Sequence, residues 1–350
     1  MSHFGNRRLA DRRQALFGGA ALALGGALGG AGLVGCRRVE APVDEQGRVR
    51  LRVASDGPAE ARHGAVYAAI ASGAYERRGL NIQIVAGDSV GDAAQRLARG
   101  TAELGMASDG ASLFALAAEG APVRAVAAFF QRDPAALMVR DVPGLDGLSD
   151  LNDRPVLLAQ AATSPAWAWL KANAGFTDAT LQPFAGDLQP FLDDPPAVLG
   201  GLVTSDPYRI QRLGGFEPRT LLLAEEGYPA YGGLVLAPNA FARDNAEALR
   251  SFIAATAEGW RDYMRGDPSP ADALIRRNNP DLSEPALTAA REALRDNGLV
   301  DGGDAALYGL GAMTAERWQA FFDLVSQAGL APSGLNWRDA FTDNYLPGRG

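Results

Sequence analysis

Polar and aromatic side chains follow the first predicted strand at a spacing that suits ligand binding. His63 and Tyr67 are four residues apart, so on a helix the two side chains face the same way. An imidazole offers one hydrogen-bonding group and a phenol ring offers one stacking plane. The pair indicates a binding site for a small molecule; the alternative is a surface histidine beside a core tyrosine.

Two further pairs stand where a strand gives way to a helix. Ser108 and Asp109 follow a predicted strand that ends at Ala107, and Thr163 and Ser164 stand just before Pro165. Such residues cap helices, and the amino end of a capped helix can point into a cleft. We interpret both pairs as ligand-binding, with capping alone as the alternative for Ser108 and Asp109.

The candidate site is completed by residues from the ends of three more predicted strands. Asp206 and Tyr208 follow a strand that ends at Thr204, where a carboxylate can accept a hydrogen bond from an amine or amide. Tyr208 can equally pack in the core. Gln131 follows a strand that ends near Phe130, and Tyr231 precedes the last predicted strand.

The charges near these positions bear on the ligand. Pockets for sulfonate, nitrate or phosphate usually offer arginine or several aimed N–H groups. The candidate loops instead carry Asp88, Asp109 and Asp206, with only Arg62 and Arg132 as bases. This favours a neutral or amine-bearing, heteroaromatic ligand over a simple anion.

The groups needed for most catalysis are missing from the sequence. The chain holds one cysteine, Cys36, and two histidines, His3 and His63, too few for a multi-histidine metal site. There is no glycine-rich phosphate loop of the P-loop type. We therefore expect no catalytic residue, no metal and no cofactor. The formal charge of −8 also argues against nucleic acid as a partner.

The first 36 residues are predicted to be a lipoprotein signal peptide. Arg7, Arg8, Arg12 and Arg13 precede an uncharged Ala/Gly/Leu run that extends to Gly35. Residues 33–36, Leu-Val-Gly-Cys, resemble the lipobox of bacterial lipoproteins, in which the cysteine is lipidated and retained. The sequence thus predicts export and a lipid anchor at Cys36.

The export route stays open. Residues 11–16, Asp-Arg-Arg-Gln-Ala-Leu, resemble a twin-arginine motif, but Ala15 stands where phenylalanine is usual. Residues 37–48 show no apolar periodicity and are predicted to be a tether.

The rest of the chain alternates strand-like and helix-like segments, which predicts an α/β fold with largely parallel sheets. In the segment 49–54 apolar residues alternate with arginines, the pattern of a strand with one wet face. A second block of the same kind follows from about residue 156, and the chain after residue 237 reads as helical. Trp318, Phe321, Phe322 and Val325 form an apolar stripe for packing.

Three segments resemble one family of binding proteins in the right order. Residues 67–80 (YAAIASGAYERRGL) resemble the "YVA…GYF…GLDV" segment of periplasmic binding proteins for nitrate, sulfonates, taurine and thiamine-pyrimidine precursors. Residues 100–108 (GTAELGMAS) resemble the family's "GEVDLGVAS" stretch, and Ser149–Leu151 its "sLaDLkGk" element, although Asp153 and Arg154 replace glycine and lysine there.

The resemblance extends to the candidate site. Residues 63–67 (HGAVY) resemble the "NHAGLY" element of the precursor-binding branch, Thr163 and Ser164 match its "sgTS" loop, and residues 206–208 match "wEPy", with Asp206 in place of glutamate.

The family implies a type II periplasmic-binding-protein fold, with two α/β lobes joined by two crossover strands. On that basis we expect residues 49–137 plus 233–350 to form lobe 1 and residues 138–232 to form lobe 2, with the ligand between them. The implied partners are the permease subunits of an ABC importer, and the implied location is the periplasmic face or cell surface.

Two other functions share this fold. One is a sensor or scaffold without transport, which the sequence does not separate from import. The other is an enzyme resembling eukaryotic pyrimidine-precursor synthases, which need a pyridoxal-phosphate lysine and a cysteine-rich motif. The only lysine, Lys171, follows Trp167 and Trp169 within a predicted helix and is interpreted as an exposed helix residue. We therefore predict a binding protein.

Overall fold

The chain builds two separate mixed sheets with helices around them. The computed structural model describes residues 39–141 and 143–348, so the predicted signal peptide and Cys36 lie outside the described residues. The strands are β1 (Val49–Ser55), β2 (Leu80–Val85), β3 (Leu104–Ala107), β4 (Val123–Phe130), β5 (Ala135–Val139), β6 (Val156–Leu158), β7 (Leu181–Pro183), β8 (Val198–Leu202), β9 (Arg219–Leu222) and β10 (Gly232–Pro238).

The helices follow most strands in the first two thirds of the chain and then form a helical C-terminal region. They are α1 (Gly64–Ala71), α2 (Asp92–Ala98), α3 (Ala111–Ala118), α4 (Pro165–Asn173), α5 (Gln189–Asp193), α6 (Asp206–Gly214), α7 (Asn239–Asp244), α8 (Ala246–Arg265), α9 (Ser269–Asn278), α10 (Glu284–Asp296), α11 (Ala305–Tyr308) and α12 (Ala315–Gln327).

Each sheet contains one strand that arrives from the other half of the molecule. The first sheet has the order β2-β1-β3-β10-β4, and the second has the order β7-β6-β8-β5-β9. β10 runs antiparallel to both of its neighbours, and so does β5, whereas β1 and β6 pair in parallel with theirs. Each sheet is therefore mixed, but four of its five strands run in the same direction, so the sheets are largely parallel as the sequence suggested. The incoming strand is the antiparallel one, because it is not joined to its neighbours by a crossover helix.

The chain crosses between the sheets twice. The first crossover, residues 131–134, joins β4 to β5, and the second, residues 223–231, joins β9 to β10. Two α/β lobes joined by two crossovers are the predicted type II periplasmic-binding-protein arrangement, although the crossovers are irregular segments and not strands. The expected division between residues 137 and 138 falls inside β5, so we propose residues 131–134 as the boundary.

Helices α1 and α8 pack closely on one face of the first sheet because two glycines leave room. A Cβ on Gly64 would collide with the ring of Tyr263, and a Cβ on Gly259 would collide with the carbonyl oxygen of Ala65. On the opposite face, the apolar stripe of α12 is buried as predicted, with Trp318 and Phe322 edge-on to Phe114 of α3.

The stretch predicted as a tether lies against lobe 1 from Val39 onwards. The backbone N–H of Val39 donates to the Asp244 carboxylate at 2.9 Å, and that of Ala41 donates to the Asn245 side chain at 3.0 Å. Asp44 and Arg48 pair across a turn at 2.8 Å. The chain is thus attached to the α7–α8 junction before β1 begins.

The close approach of α1 and α8 predicts a cost for any side chain at Gly259. Gly259→Ala should lower the free energy of unfolding by about 1–3 kcal/mol, because overpacking outweighs the better helix propensity of alanine. Urea denaturation measures this, with Gly334→Ala as the control because a Cβ there meets no atom within 4 Å. Equal stability of the two variants would contradict the packing described above.

Candidate functional site

A cavity of about 630 Å³ lies between the two sheets. Segments that follow β1, β3, β6 and β8 supply much of its wall, and both crossovers reach it. Ligands of open α/β sheets bind at the carboxyl ends of strands, and here strand ends from both lobes meet. The location is the one that the family resemblance implied.

Five of the predicted ligand-binding residues line this cavity: His63, Ser108, Asp109, Thr163 and Ser164. Two of them also cap helices. The Asp109 carboxylate accepts the N–H of Ala111 at 2.8 Å, and the Ser164 hydroxyl accepts the N–H of Trp167 at 3.2 Å. Capping and cavity lining are therefore compatible at these positions.

Two predicted residues, Gln131 and Tyr231, lie outside the cavity wall and fasten the crossovers instead. The buried Gln131 amide donates to the carbonyls of Ala128 and Ala312 and accepts the N–H of Ala305. The hydroxyl of Tyr231 donates to the Asp304 carboxylate. The polar atoms of both side chains are therefore used in hydrogen bonds within the protein.

The other three predicted residues, Tyr67, Asp206 and Tyr208, are also absent from the wall. Asp206 accepts the N–H of Leu202 at 2.8 Å and pairs with Arg209 at 2.7 Å, which secures the turn from β8 into α6. Tyr67 is buried in the core of lobe 1. His63 is the N-cap residue of α1 and lines the cavity, whereas Tyr67, four residues further on, does not.

His63 is held as a neutral ring with a defined tautomer. The backbone N–H of Glu60 donates to Nδ1 at 3.3 Å, which leaves the ring proton on Nε2. Burial, together with the charge of Arg62, lowers the pKa of His63 to about 3. At neutral pH the side chain is therefore a hydrogen-bond donor at the cavity wall.

Three acidic or phenolic groups near the crossovers influence each other's charge. Burial raises the pKa of Asp133 to about 7; the hydrogen bond from the Ala135 N–H opposes this rise, the Asp109 charge adds to it, and the Arg317 charge opposes it. Burial and both carboxylates raise the pKa of Tyr228 well above its usual value. Asp109, Asp133 and Tyr228 all line the cavity, and we call them the acidic floor.

Asp56 sets the position of the wall around Asp109 without lining the cavity. Its buried carboxylate accepts the backbone N–H groups of Gly91, Ala93 and Ser108 at 2.9–3.1 Å. One side chain thus ties the end of β1 to the start of α2 and to the segment after β3. Buried carboxylates are tolerated where N–H donors surround them in this way.

The rest of the wall is mainly apolar and aromatic. Phe130 of β4 and Trp260 of α8 lie with their ring centroids 5.7 Å apart, and both line the cavity with Phe129 and Tyr228. Lobe 2 adds Leu137, Leu158 and Leu202. Flat ring systems are bound by surfaces of this kind.

Two hydroxyls at the cavity have no partner within the described part of the chain. Ser108 Oγ and Ser112 Oγ are buried and make no hydrogen bond there. Buried polar atoms are nearly always paired, so a bound molecule is the natural partner for both.

Cationic side chains are scarce around the cavity. Among the described residues, Arg62 is the one arginine or lysine in the wall, and its guanidinium faces the Glu60 carboxylate at 3.2 Å and the Asp56 carbonyl at 3.2 Å. Residues 39–141 and 143–348 contain no cluster of three or more His, Cys, Asp or Glu side chains able to hold a metal ion. No helix in those same ranges is long and apolar enough to cross a membrane.

Asp133, Tyr228 and Trp260 are among the wall residues that sequence reasoning missed. Asp133 and Tyr228 lie in the crossovers, which carry no periodic signal, and Trp260 lies inside a long amphipathic helix where an aromatic residue is normally core. One signal could have indicated Asp133: it is a charged residue before Pro134, in the short segment between two apolar strands.

The raised pKa of Asp133 predicts a pH-dependent stability. Between about pH 4 and pH 7 the folded protein holds a proton that the unfolded chain releases, so stability falls as pH rises. Asp133→Asn should remove this loss of stability. At about 1.4 kcal/mol per pKa unit, we expect the variant to gain up to about 4 kcal/mol in unfolding free energy at pH 8 and nothing near pH 4. Asp153→Asn, at an exposed position, is the control. A pH-independent difference between variant and parent would contradict the assignment.

Comparisons with known proteins agree with this architecture. A riboflavin-binding protein, RibY from Chloroflexus aurantiacus, is 25% identical over 290 residues, 81% of this chain and 82% of that protein. The aliphatic sulphonate binding protein SsuA from Escherichia coli superposes with a TM-score of 0.63 at 17% identity, over 83% of this chain and 91% of that one. The desulfurization enzyme DSZB superposes with a TM-score of 0.55 at 12% identity, over 85% of this chain and 97% of that one.

The two structural matches show a shared fold. The family model described as "NMT1/THI5 like" matches residues 60–271, more than half of the chain. The chain therefore belongs to the NMT1/THI5-like family, as the motifs in its sequence indicated.

Proposed function

We propose that this protein is an exported, lipid-anchored solute-binding component of an ABC importer, and that it captures an uncharged heteroaromatic molecule between its lobes. The observation that carries the proposal is the cavity itself: among the residues that the structure describes, its wall has aromatic rings, two partly or fully buried carboxylates and a single, already paired arginine. The ligand class is a flavin or a smaller aminopyrimidine of the thiamine-precursor type.

The charge of the wall disfavours an anionic ligand. A sulfonate or nitrate would have to lie near Asp109 and Asp133, and its charge would be offset only by Arg62. Like charges in a poorly hydrated cavity repel strongly, whereas N–H groups of a neutral ring are attracted. Import of a sulfonate, taurine or nitrate is the second candidate function. It requires the carboxyl groups of Asp109 and Asp133 to be protonated and therefore uncharged.

The size of the cavity and one relative favour the flavin. About 630 Å³ is within the usual range for a drug-sized ligand and holds a tricyclic ring with a side chain. The curated relative RibY is a riboflavin-binding protein, and it aligns over most of both chains. An aminopyrimidine would leave much of the same space to water.

Import follows from the lobes and the leader taken together. Closure of two lobes over a ligand changes the surface presented to a permease, and a lipid at Cys36 would keep the protein beside that permease. A sensor without transport uses the same closure, so a neighbouring permease gene is the observation that separates the two.

An enzymatic role is not favoured by the groups at the cavity. Lys171 lies outside its wall, on α4, with Nζ 3.1 Å from both oxygens of Asp178. A Schiff-base lysine needs a free amine within the site. Incubation with pyridoxal phosphate should therefore give no aldimine absorbance.

A ligand screen tests the proposal. Purified protein should gain thermal stability with riboflavin, by about 2.7 kcal/mol at a concentration one hundred times Kd. An aminopyrimidine, an alkanesulfonate, taurine and nitrate are screened in parallel, and calorimetry should show one ligand per chain. A shift with the sulfonate or nitrate alone would contradict the heteroaromatic assignment.

A further inference from the structure

The acidic floor offers unused hydrogen-bonding atoms in the cavity wall. Asp109 Oδ1 accepts the N–H of Ala111, and Asp133 Oδ1 accepts the N–H of Ala135 at 2.8 Å, which leaves one oxygen on each carboxyl group. Tyr228 lines the same cavity. Next to Asp109, the unpaired hydroxyls of Ser108 and Ser112 lie in the same wall.

The two carboxyl groups are placed to divide their roles. Two negative charges near each other in an apolar cavity are unfavourable, so one group holds a proton. Asp109 accepts a second N–H, from Ser112 at 3.5 Å, whereas Asp133 has the single N–H of Ala135. Burial raises the pKa of both groups, but two N–H donors oppose the rise at Asp109, whereas the Asp109 charge adds to the rise at Asp133. Asp133 is therefore the better acid and Asp109 the better carboxylate.

We propose that Asp109 and Asp133 together bind one edge of the ligand ring on which an N–H donor and an acceptor atom are neighbours. Asp109 accepts from the ring N–H, and protonated Asp133 donates to the adjacent carbonyl oxygen or ring nitrogen. Imides and lactams, such as the pyrimidine-dione ring of a flavin, carry this edge, and so do amidine-type aminopyrimidines. The inference rests on the proposed function and specifies how that same site selects its ligand.

Binding coupled to a proton on Asp133 follows directly. Ligand affinity is then highest where Asp133 is protonated and declines as pH rises through 7. His63 does not contribute to this pH dependence, because burial lowers its pKa to about 3 and the ring is already neutral. The charged and titratable groups around Asp133 and its partner Asp109 are Asp56, Arg62, His63, Asp109, Tyr228 and Arg317.

Riboflavin titrations at pH 6 and pH 8 test the inference on the full-length mature protein. For the parent protein we expect Kd to rise about tenfold between these pH values, because one proton is lost from a group with a pKa near 7. Asp133→Asn, whose amide donates as the neutral acid does, should bind at both pH values with the same Kd. Asp133→Ala should bind at least tenfold more weakly than Asp133→Asn, and Asp153→Asn should behave as the parent.

A ligand analogue tests the proposed hydrogen bond from the ring N–H to Asp109. 3-Methylriboflavin lacks the ring N–H, so it should bind the parent protein at least tenfold more weakly than riboflavin. Equal affinities for the two flavins, or riboflavin binding with the same Kd at pH 6 and pH 8, would overturn this inference while leaving the proposed function in place. Absence of riboflavin binding at either pH would overturn both the flavin assignment and this inference.

Discussion

The structure of the site depends on how the two crossovers are held. The Gln131 amide donates to the carbonyls of Ala128 and Ala312 at 2.7 and 2.9 Å, which fixes the first crossover. Arg317 of α12 donates to the carbonyls of Pro229 and Ala230 at 2.8 and 2.7 Å, and its guanidinium lies 4.0 Å from the Tyr231 ring centroid, which fixes the second. Both crossovers are thus bound to the C-terminal region of lobe 1.

This attachment explains why the acidic floor is where it is. Asp133 follows Gln131 by two residues, and Tyr228 precedes Pro229, so the fastening that secures each crossover also positions one member of the floor. Lobe closure changes the distance between the outer walls, while groups on the crossovers stay near the axis of the movement. In the proposed function, Asp133 and Tyr228 are therefore the members of the floor that would move least during closure.

In the proposed function, the contrast between the acidic floor and the apolar walls determines which ligands the cavity selects. Apolar and aromatic walls supply contact area with little preference among flat rings, and a polar group buried among them must find a partner. In this wall the polar groups that need such a partner are Asp109, Asp133 and the unpaired hydroxyls of Ser108 and Ser112. A ring that is apolar on its faces and polar along one edge satisfies both conditions.

Local patterns in the sequence predicted much of the fold. Alternation marked β1, and proline at the first turn marked α4. β5 was missed because its short apolar run, Ala135–Val139, follows β4 after only four residues and shows no alternation. Its antiparallel place between β8 and β9 depends on pairing with strands more than sixty residues away, which no local pattern encodes.

The candidate site was predicted only in part, for a related reason. His63, Ser108, Asp109, Thr163 and Ser164 were found because they follow strands and precede helices, and that position alone brings them to the cavity. Gln131 also follows a strand, but its amide is consumed by backbone groups of residues 305 and 312, far along the chain. A polar side chain that serves a ligand and one that serves a distant carbonyl look the same in sequence.

A crystal structure of the protein with riboflavin tests the central claim most directly. The account predicts the flavin ring between the two lobes, against Trp260 and Phe130, with its ring N–H within about 3.2 Å of an Asp109 carboxylate oxygen. A flavin bound outside this cavity, or bound inside it with its polar edge turned away from Asp109 and Asp133, would contradict the account.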